Sequence, residues 1–205
     1  MTAIPLNLHK LKAIVFDLDN TLVSSNMDFQ WLRNQIGCPS EQDVLDFADN
    51  LSCLNQRADA KQKILQHELD DAESSHPMPG CEHLLSFIAD NALYTAIITR
   101  NCAQAAKAKV DANALEIERI ISREHYAPKP APDALLALVD EWQILPNEML
   151  YVGDYLYDLQ AAYNALMPSC LVTHGRQTSF SNHASLVVDH LTDLRQLLEF
   201  QASNN

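Results

Sequence analysis

The chain has 205 residues, 47% hydrophobic and 20% charged: enough apolar material for one large core or a core with a modest insert, and too even a composition for disorder over most of its length. Its net charge of −13 comes without any cluster of basic residues, so nucleic acid and anionic membrane surfaces would repel it and neither is an expected partner. The longest unbroken apolar run, Ala134 to Val139, is far short of a membrane span, and residues 1–12 lack the apolar core of a secretory signal.

In chain order, short apolar runs at Lys12–Phe16, Leu93–Thr99, Ile117–Ser122, Met149–Gly153, Cys170–Thr173 and Leu186–Val188 read as strands. Runs this apolar suit strands covered on both faces. Helical patterns lie between them at Cys81–Asn91, Cys102–Val110, Pro132–Trp142, Leu156–Leu166 and Thr192–Phe200; in the fourth, Leu159, Ala162, Tyr163 and Leu166 keep helical spacing. The alternation predicts an α/β fold, a doubly wound parallel sheet.

Residues 22–79 break the alternation. Met27–Ile36, Glu41–Leu51 and Arg57–Ala72 read as helices, with Ser40 the expected N-cap of the second. The run Ser74-Ser75-His76-Pro77-Met78-Pro79-Gly80 is a linker by composition. The expected organisation is therefore a core domain of residues 1–21 and 80–205 with a small all-helical cap, residues 22–79, inserted after the first strand. The plainer alternative is that these helices merely pack on the sheet. The four glycines, at 37, 80, 153 and 175, cannot form a phosphate-cradling G-x-x-x-x-G-K-[ST] loop or a dinucleotide G-x-G-x-x-G turn.

Polar groups follow the apolar strands. Ala13 to Phe16 run straight into Asp17-Leu18-Asp19-Asn20-Thr21. Asp17 and Asp19 are i and i+2, on one side of an extended backbone, at the strand end where open α/β sheets bind ligands. Two such carboxylates repel unless a cation or proton lies between them, which suggests Mg²⁺. The bland reading of either acid is a turn or N-cap aspartate. Gly153-Asp154-Tyr155-Leu156-Tyr157-Asp158 sets two more acids at i and i+4, facing one way at a helix start; taken alone, they are equally well read as acids stabilising a helix dipole. Thr99-Arg100-Asn101 offers a hydroxyl and amides for a phosphoryl oxygen. Lys129, in Pro128-Lys129-Pro130, is a rigidly placed charge for a phosphate. Each of these last two is weak singly, and the order of all four along the chain carries the information.

With these four motifs in order, the chain resembles the haloacid dehalogenase superfamily of phosphohydrolases, over residues 11 to about 200. The helical insert and Pro79-Gly80 resemble its phosphoglycolate phosphatase-like branch. The resemblance implies a Mg²⁺-dependent phosphatase acting on a small phosphomonoester. Asp17 would be the nucleophile, forming an aspartyl-phosphate, and Asp19 the general acid and base. Asp17, the Asp19 carbonyl and Asp154 would hold Mg²⁺, with Asp158 in support. Thr99, Arg100 and Asn101 would bind phosphoryl oxygens, Lys129 would neutralise nucleophile and phosphate, and Thr21 would shape the loop. The acid two residues after the nucleophile favours phosphoryl transfer over carbon–halogen cleavage. Two departures stand out: Tyr155 replaces the small hydroxyl residue that often follows Gly-Asp, and Ala165-Leu166-Met167 lacks the glycine common there.

Substrate choice is expected in the cap, where Phe29 and Arg33 are candidate contacts to a ring or carboxylate. In the plainer reading Phe29, Leu32 and Ile36 are cap core and Arg33 is solvated. The five scattered cysteines suit free thiols in a reducing cytoplasm, and neither they nor the eight histidines have zinc-ligand spacing. A monomer or homodimer is expected. The competing readings are a phosphomutase, a signalling receiver domain, against which the first-strand position of Asp17 argues, and a binding protein that kept the fold.

Overall fold

The computed structural model describes residues 1–203. Among them, six strands form one parallel sheet: β1 (Ala13–Phe16), β2 (Tyr94–Ile98), β3 (Ile120–Ile121), β4 (Met149–Gly153), β5 (Ser169–Val172) and β6 (Leu186–Val188). Their order is β3-β2-β1-β4-β5-β6. The chain winds outward from β1 to β3, returns beside β1 as β4, and winds out the other way. The crevice at that reversal, at the carboxyl ends of β1 and β4, is where such sheets bind ligands.

Alternation along β1 builds the two layers. Ile14 and Phe16 pack on one face with α4 (Cys81–Asp90), α5 (Ala103–Ala112) and α8 (Leu191–Ser203), through Leu84, Ile88, Val110, Leu191 and Leu194. Ala13 and Val15 face the opposite layer, where α6 (Asp133–Trp142) and α7 (Leu156–Asn164) contribute Leu135, Leu138, Ala161 and Ala162. All four residues of β1 are buried, which is why its run carries no polar alternation.

The third strand is shorter than Ile117–Ser122. Only Ile120 and Ile121 pair, with Ile97 and Ile98. Leu115 and Ile117 are buried while Glu116 and Glu118 are exposed. That stretch keeps a strand-like alternation and fills the core, yet lies outside the β2 ladder at the edge of the sheet.

Between β1 and α4 come α1 (Phe29–Ile36), α2 (Val44–Asn50) and α3 (Leu54–Glu73). They share an apolar cluster of their own, with Leu32, Val44, Ala48, Ala60 and Ile64 buried. The N-cap of α2 is Asp43, whose carboxylate accepts from the amides of Leu45 (3.0 Å) and Asp46 (3.3 Å). Ser40 does not cap it: the helix starts later than the apolar pattern implied, and the Ser40 hydroxyl donates to Glu41 instead. The two connections to the sheet run side by side. Ser24 N donates to His76 O (2.8 Å) and Met78 N to Leu22 O (2.8 Å), closing an antiparallel ribbon.

Candidate active site

The sheet register brings the polar groups together. Phe16 lies opposite both Ile97 and Val152, so the residues after β1, β2 and β4 emerge at one edge. Asp17 N still donates to Val152 O (2.8 Å), continuing the ladder by one bond. Asp17, Asp19, Thr99, Arg100, Asn101, Lys129, Asp154 and Asp158 all line one cavity of about 430 Å³.

At its floor, Lys129 Nζ donates to Asp17 Oδ1 (2.5 Å) and to Asp158 Oδ1 (2.7 Å). Asp158 also accepts from Tyr151 Oη (3.2 Å) and the Tyr155 amide (3.1 Å). Burial would lower the Lys129 pKa, but Asp158 and Asp17 outweigh it and hold the ammonium well above its usual range. Burial pushes Asp17 up to about 7; Lys129 pulls down, and Asp158 and Asp19 push further up. Asp154 is pushed up to about 8, by burial first and then by Asp17 and Asp158.

One carboxylate oxygen from each of Asp17, Asp154 and Asp158 lies within 4.8 Å of the other two. This is an all-oxygen donor set with the net charge of three acids against one lysine. A hard divalent cation fits both the donor chemistry and the burial and mutual repulsion that raise two of the pKa values.

The Asp19 carboxylate is not in this trio. It forms an ion pair with Lys109 and accepts from Asn101 Nδ2 (2.5 Å). The Thr99 hydroxyl oxygen accepts from the Asn101 amide (3.1 Å) and side chain (2.9 Å), fixing the turn in which it sits. Arg100 does not point at the floor. It donates to Lys129 O (2.6 Å) and to Asp43 (2.6 Å) from the insert, and lies 4.8 Å over the Tyr157 ring. Thr21 is wholly buried, its hydroxyl without a partner, and is not among the cavity-lining residues.

On the insert side, Phe29 is 56% exposed and lines the cavity, rather than joining Leu32 in the core. Arg33 also lines it, but one guanidinium nitrogen is committed to Pro39 O (2.8 Å) and Gln42 O, so it fastens the α1–α2 loop instead of standing solvated.

Several participants escaped the sequence reading. Glu68, on α3, is buried; it pairs with Arg123 and accepts from the Cys102 amide (3.1 Å) at the start of α5. Asp43 pairs with Arg100, and Asp71 with Lys109 at 2.5 Å. Each of these pairs joins the helices between β1 and α4 to the residues around the sheet. Lys109 had a signal: with Cys102, Ala105, Ala106 and Val110 it keeps the spacing of a buried helix face, whereas Lys107 does not.

The haloacid dehalogenase-like hydrolase family matches residues 25–172, and the chain belongs to that family. An uncharacterized hydrolase of Saccharomyces cerevisiae is 28% identical over 97% of this chain and 94% of its own length. A phosphoglycolate phosphatase of Vibrio parahaemolyticus is 26% identical, covering 94% of this chain and 98% of that protein. An N-acetylmuramic acid 6-phosphate phosphatase of Pseudomonas aeruginosa is 26% identical over 93% and 96%. The crystal structure of a hydrolase from Pseudomonas syringae superposes with a TM-score of 0.76 at 20% identity, covering 92% of this chain and 98% of that one, which shows the shared fold.

Proposed function

We propose that this hydrolase is a Mg²⁺-dependent phosphatase that cleaves a small-metabolite phosphomonoester through an aspartyl-phosphate on Asp17, with residues 22–79 acting as its cap. The observation that carries the reading is the gathering of Asp17, Asp154, Asp158 and Lys129 at one sheet edge. Relatives named as phosphatases of phosphoglycolate and of N-acetylmuramic acid 6-phosphate support the reaction class.

Asp17, Asp154 and the Asp19 backbone carbonyl would hold the cation, with Asp158 beside them. The cation supplies positive charge against the phosphate dianion and the growing transition-state charge. Lys129 does the same from the protein side, because it sits on the oxygen of the nucleophile. In the first step Asp17 attacks phosphorus, the bond to the leaving oxygen breaks, and Asp19 gives that oxygen its proton. In the second, Asp19 takes a proton from water as the water attacks phosphorus. Inorganic phosphate leaves and the Asp17 carboxylate returns. Thr99 and the amides after it serve the phosphoryl oxygens.

Arg100 orders the Lys129 loop through its carbonyl and ties it to the insert. The same cavity is also lined by Met27, Phe29, Leu45, Tyr155 and Tyr157. It offers contact area to the body of a small organic phosphate. The free thiols of all five cysteines support a reducing, cytoplasmic setting.

The test is a panel of phosphorylated metabolites with phosphate release measured against substrate loss, in Mg²⁺ and in excess chelator. Stoichiometric release that stops in chelator is expected. An isomeric phosphate ester instead of inorganic phosphate would make the enzyme a phosphomutase. Full turnover in chelator would remove the metal from the reading.

A further inference from the structure

Lys109 is a wholly buried ammonium on α5. It lies between two carboxylates from different parts of the chain, Asp19 after β1 and Asp71 near the end of α3. Asp71 is itself buried and also accepts from the Asn26 amide (2.6 Å) and the Ser25 hydroxyl (2.8 Å), on the segment that leads into the insert. Neither Lys109 nor Asp71 lines the cavity, so neither is placed to touch substrate. A wholly buried lysine must have its charge met by the groups around it. Here those groups are one acid of the catalytic loop and one acid of the insert, so the seat of Lys109 depends on α3 being docked, and the seat of Asp19 on Lys109.

We propose that Lys109, anchored by Asp71, is the positioning residue that holds the Asp19 carboxyl group against the substrate's leaving oxygen, and so makes protonation of that oxygen conditional on the docked insert. The proposal rests on Asp19 being the general acid. On the other side Asn101 Nδ2 holds the second Asp19 oxygen at 2.5 Å. The carboxyl group is thus clamped from α5 and from the turn after β2, and of the two side chains that hold it only Lys109 is itself paired with a residue of the insert. Loss of Asp71 would leave Lys109 free to follow Asp19 alone, and the aim of the acid would broaden.

The experiment compares kcat/KM for phenyl phosphate and p-nitrophenyl phosphate, two esters of nearly one shape. The p-nitrophenolate leaves without help, while phenolate gains from a proton. Because kcat/KM covers steps only through aspartyl-phosphate formation, the later role of Asp19 with water does not enter. Lys109→Met and Asp71→Asn are each expected to lose about 10- to 100-fold on phenyl phosphate, part of the range general acid catalysis supplies, and about threefold or less on the nitro ester. Lys109→Met removes a buried charge and is at risk of unfolding. Asp71→Asn keeps an acceptor for the Asn26 amide and decides the matter, with its thermal midpoint checked beside it. Equal losses on both esters would make the pair a purely structural tie and overturn the inference. Asp19→Asn separates the two levels. If it penalises phenyl phosphate selectively and the Lys109 and Asp71 variants do not, only the positioning inference falls; if it is itself unselective, the general-acid reading falls and the inference with it.

Discussion

Lys129 Nζ lies 2.5 Å from Asp17 Oδ1, although 112 residues separate the two in sequence. The contact exists because β1 and β4 are neighbours and the loop after β3 folds back over their ends, which also brings Lys129 to Asp158 at 2.7 Å. One ammonium therefore serves two carboxylates at the cavity floor.

That sharing makes Lys129 costly to remove. Lys129→Met leaves Asp17 and Asp158 buried without their cation, and breaking a buried pair from one side costs about 3–5 kcal/mol. Urea unfolding of the metal-free protein at about pH 8 should show a loss of that order, and phosphate release should fall by at least about 10²-fold, as for removal of one transition-state charge partner. A variant as active as wild type would take Lys129 out of the chemistry.

The raised acids fix the sign of a pH effect. Asp17 is pushed up to about 7 and Asp154 to about 8 in the fold, against an ordinary value of 3.8. Between those limits the native metal-free protein holds more protons at these sites than the unfolded chain does. Their contribution to stability is thus greatest below 3.8 and is lost as pH rises through 7 and 8. Asp154→Asn cannot lose that contribution. The thermal midpoint of the metal-free variant, less that of wild type, should be several degrees more positive at about pH 9 than at about pH 5. Mg²⁺ should raise the wild-type midpoint more at the higher pH, where the ligands are ionised. A pH-independent difference would show that burial and its acidic neighbours do not raise the Asp154 pKa in the fold.

The core was legible because each strand is a compact apolar run ending in a polar group. A parallel strand covered on both faces reads as an unbroken apolar run, and ligands bind in such sheets beyond its carboxyl end. Asp17 and Asp154 came from that rule and Lys129 from its flanking prolines, together with their order along the chain. What was hidden depends on contacts across the insert. Asp71 and Glu68 look like the polar stripe of an ordinary amphipathic helix, and only docking of α3 against α5 turns them inward, onto Lys109 and the Cys102 amide. Asp43 displaced Ser40 as a cap for a similar reason: it answers Arg100 as well as its own helix. Phe29 fits the apolar spacing of α1 yet lies at the edge of its buried stripe, where period alone does not decide between core and cavity wall.

The thiols divide by burial. Cys53 is exposed, and Cys38, Cys81, Cys102 and Cys170 are buried. Burial pushes the Cys81 thiol up to about 12 and the Cys170 thiol higher still; Cys102 also rises, chiefly through burial, with the Ala105 amide opposing. Iodoacetamide at neutral pH should label Cys53 alone in the folded protein and all five in denaturant, read by peptide mass. Rapid labelling of Cys102 in the native state would mean that α5 opens at its start, where Glu68 now holds the Cys102 amide.

Gly153 ends β4 under the turn that leads into α7. A Cβ placed there would lie 2.5 Å from Asp158 Cβ and would overlap the Asp158 carboxylate. No rotamer change of a distant tip relieves this, since the blocking atoms include the base of the Asp158 side chain. Gly153→Ala must therefore push the first turn of α7 outward and carry Asp158 away from Lys129. Overpacking of this kind costs about 1–3 kcal/mol, and a displacement near 1 Å costs about 10²-fold in rate. Gly37→Ala is the control: at φ +73 it ends α1 in the left-handed region, with nothing within 4 Å of the added carbon. It should cost about 1–2 kcal/mol from backbone strain and leave kcat/KM within about twofold, since only the helix end is altered. Denaturant unfolding and phosphate release on both variants give the comparison. Wild-type turnover in Gly153→Ala would show that Asp158 tolerates displacement, and that the close fit of β4 against α7 serves packing and not the reaction.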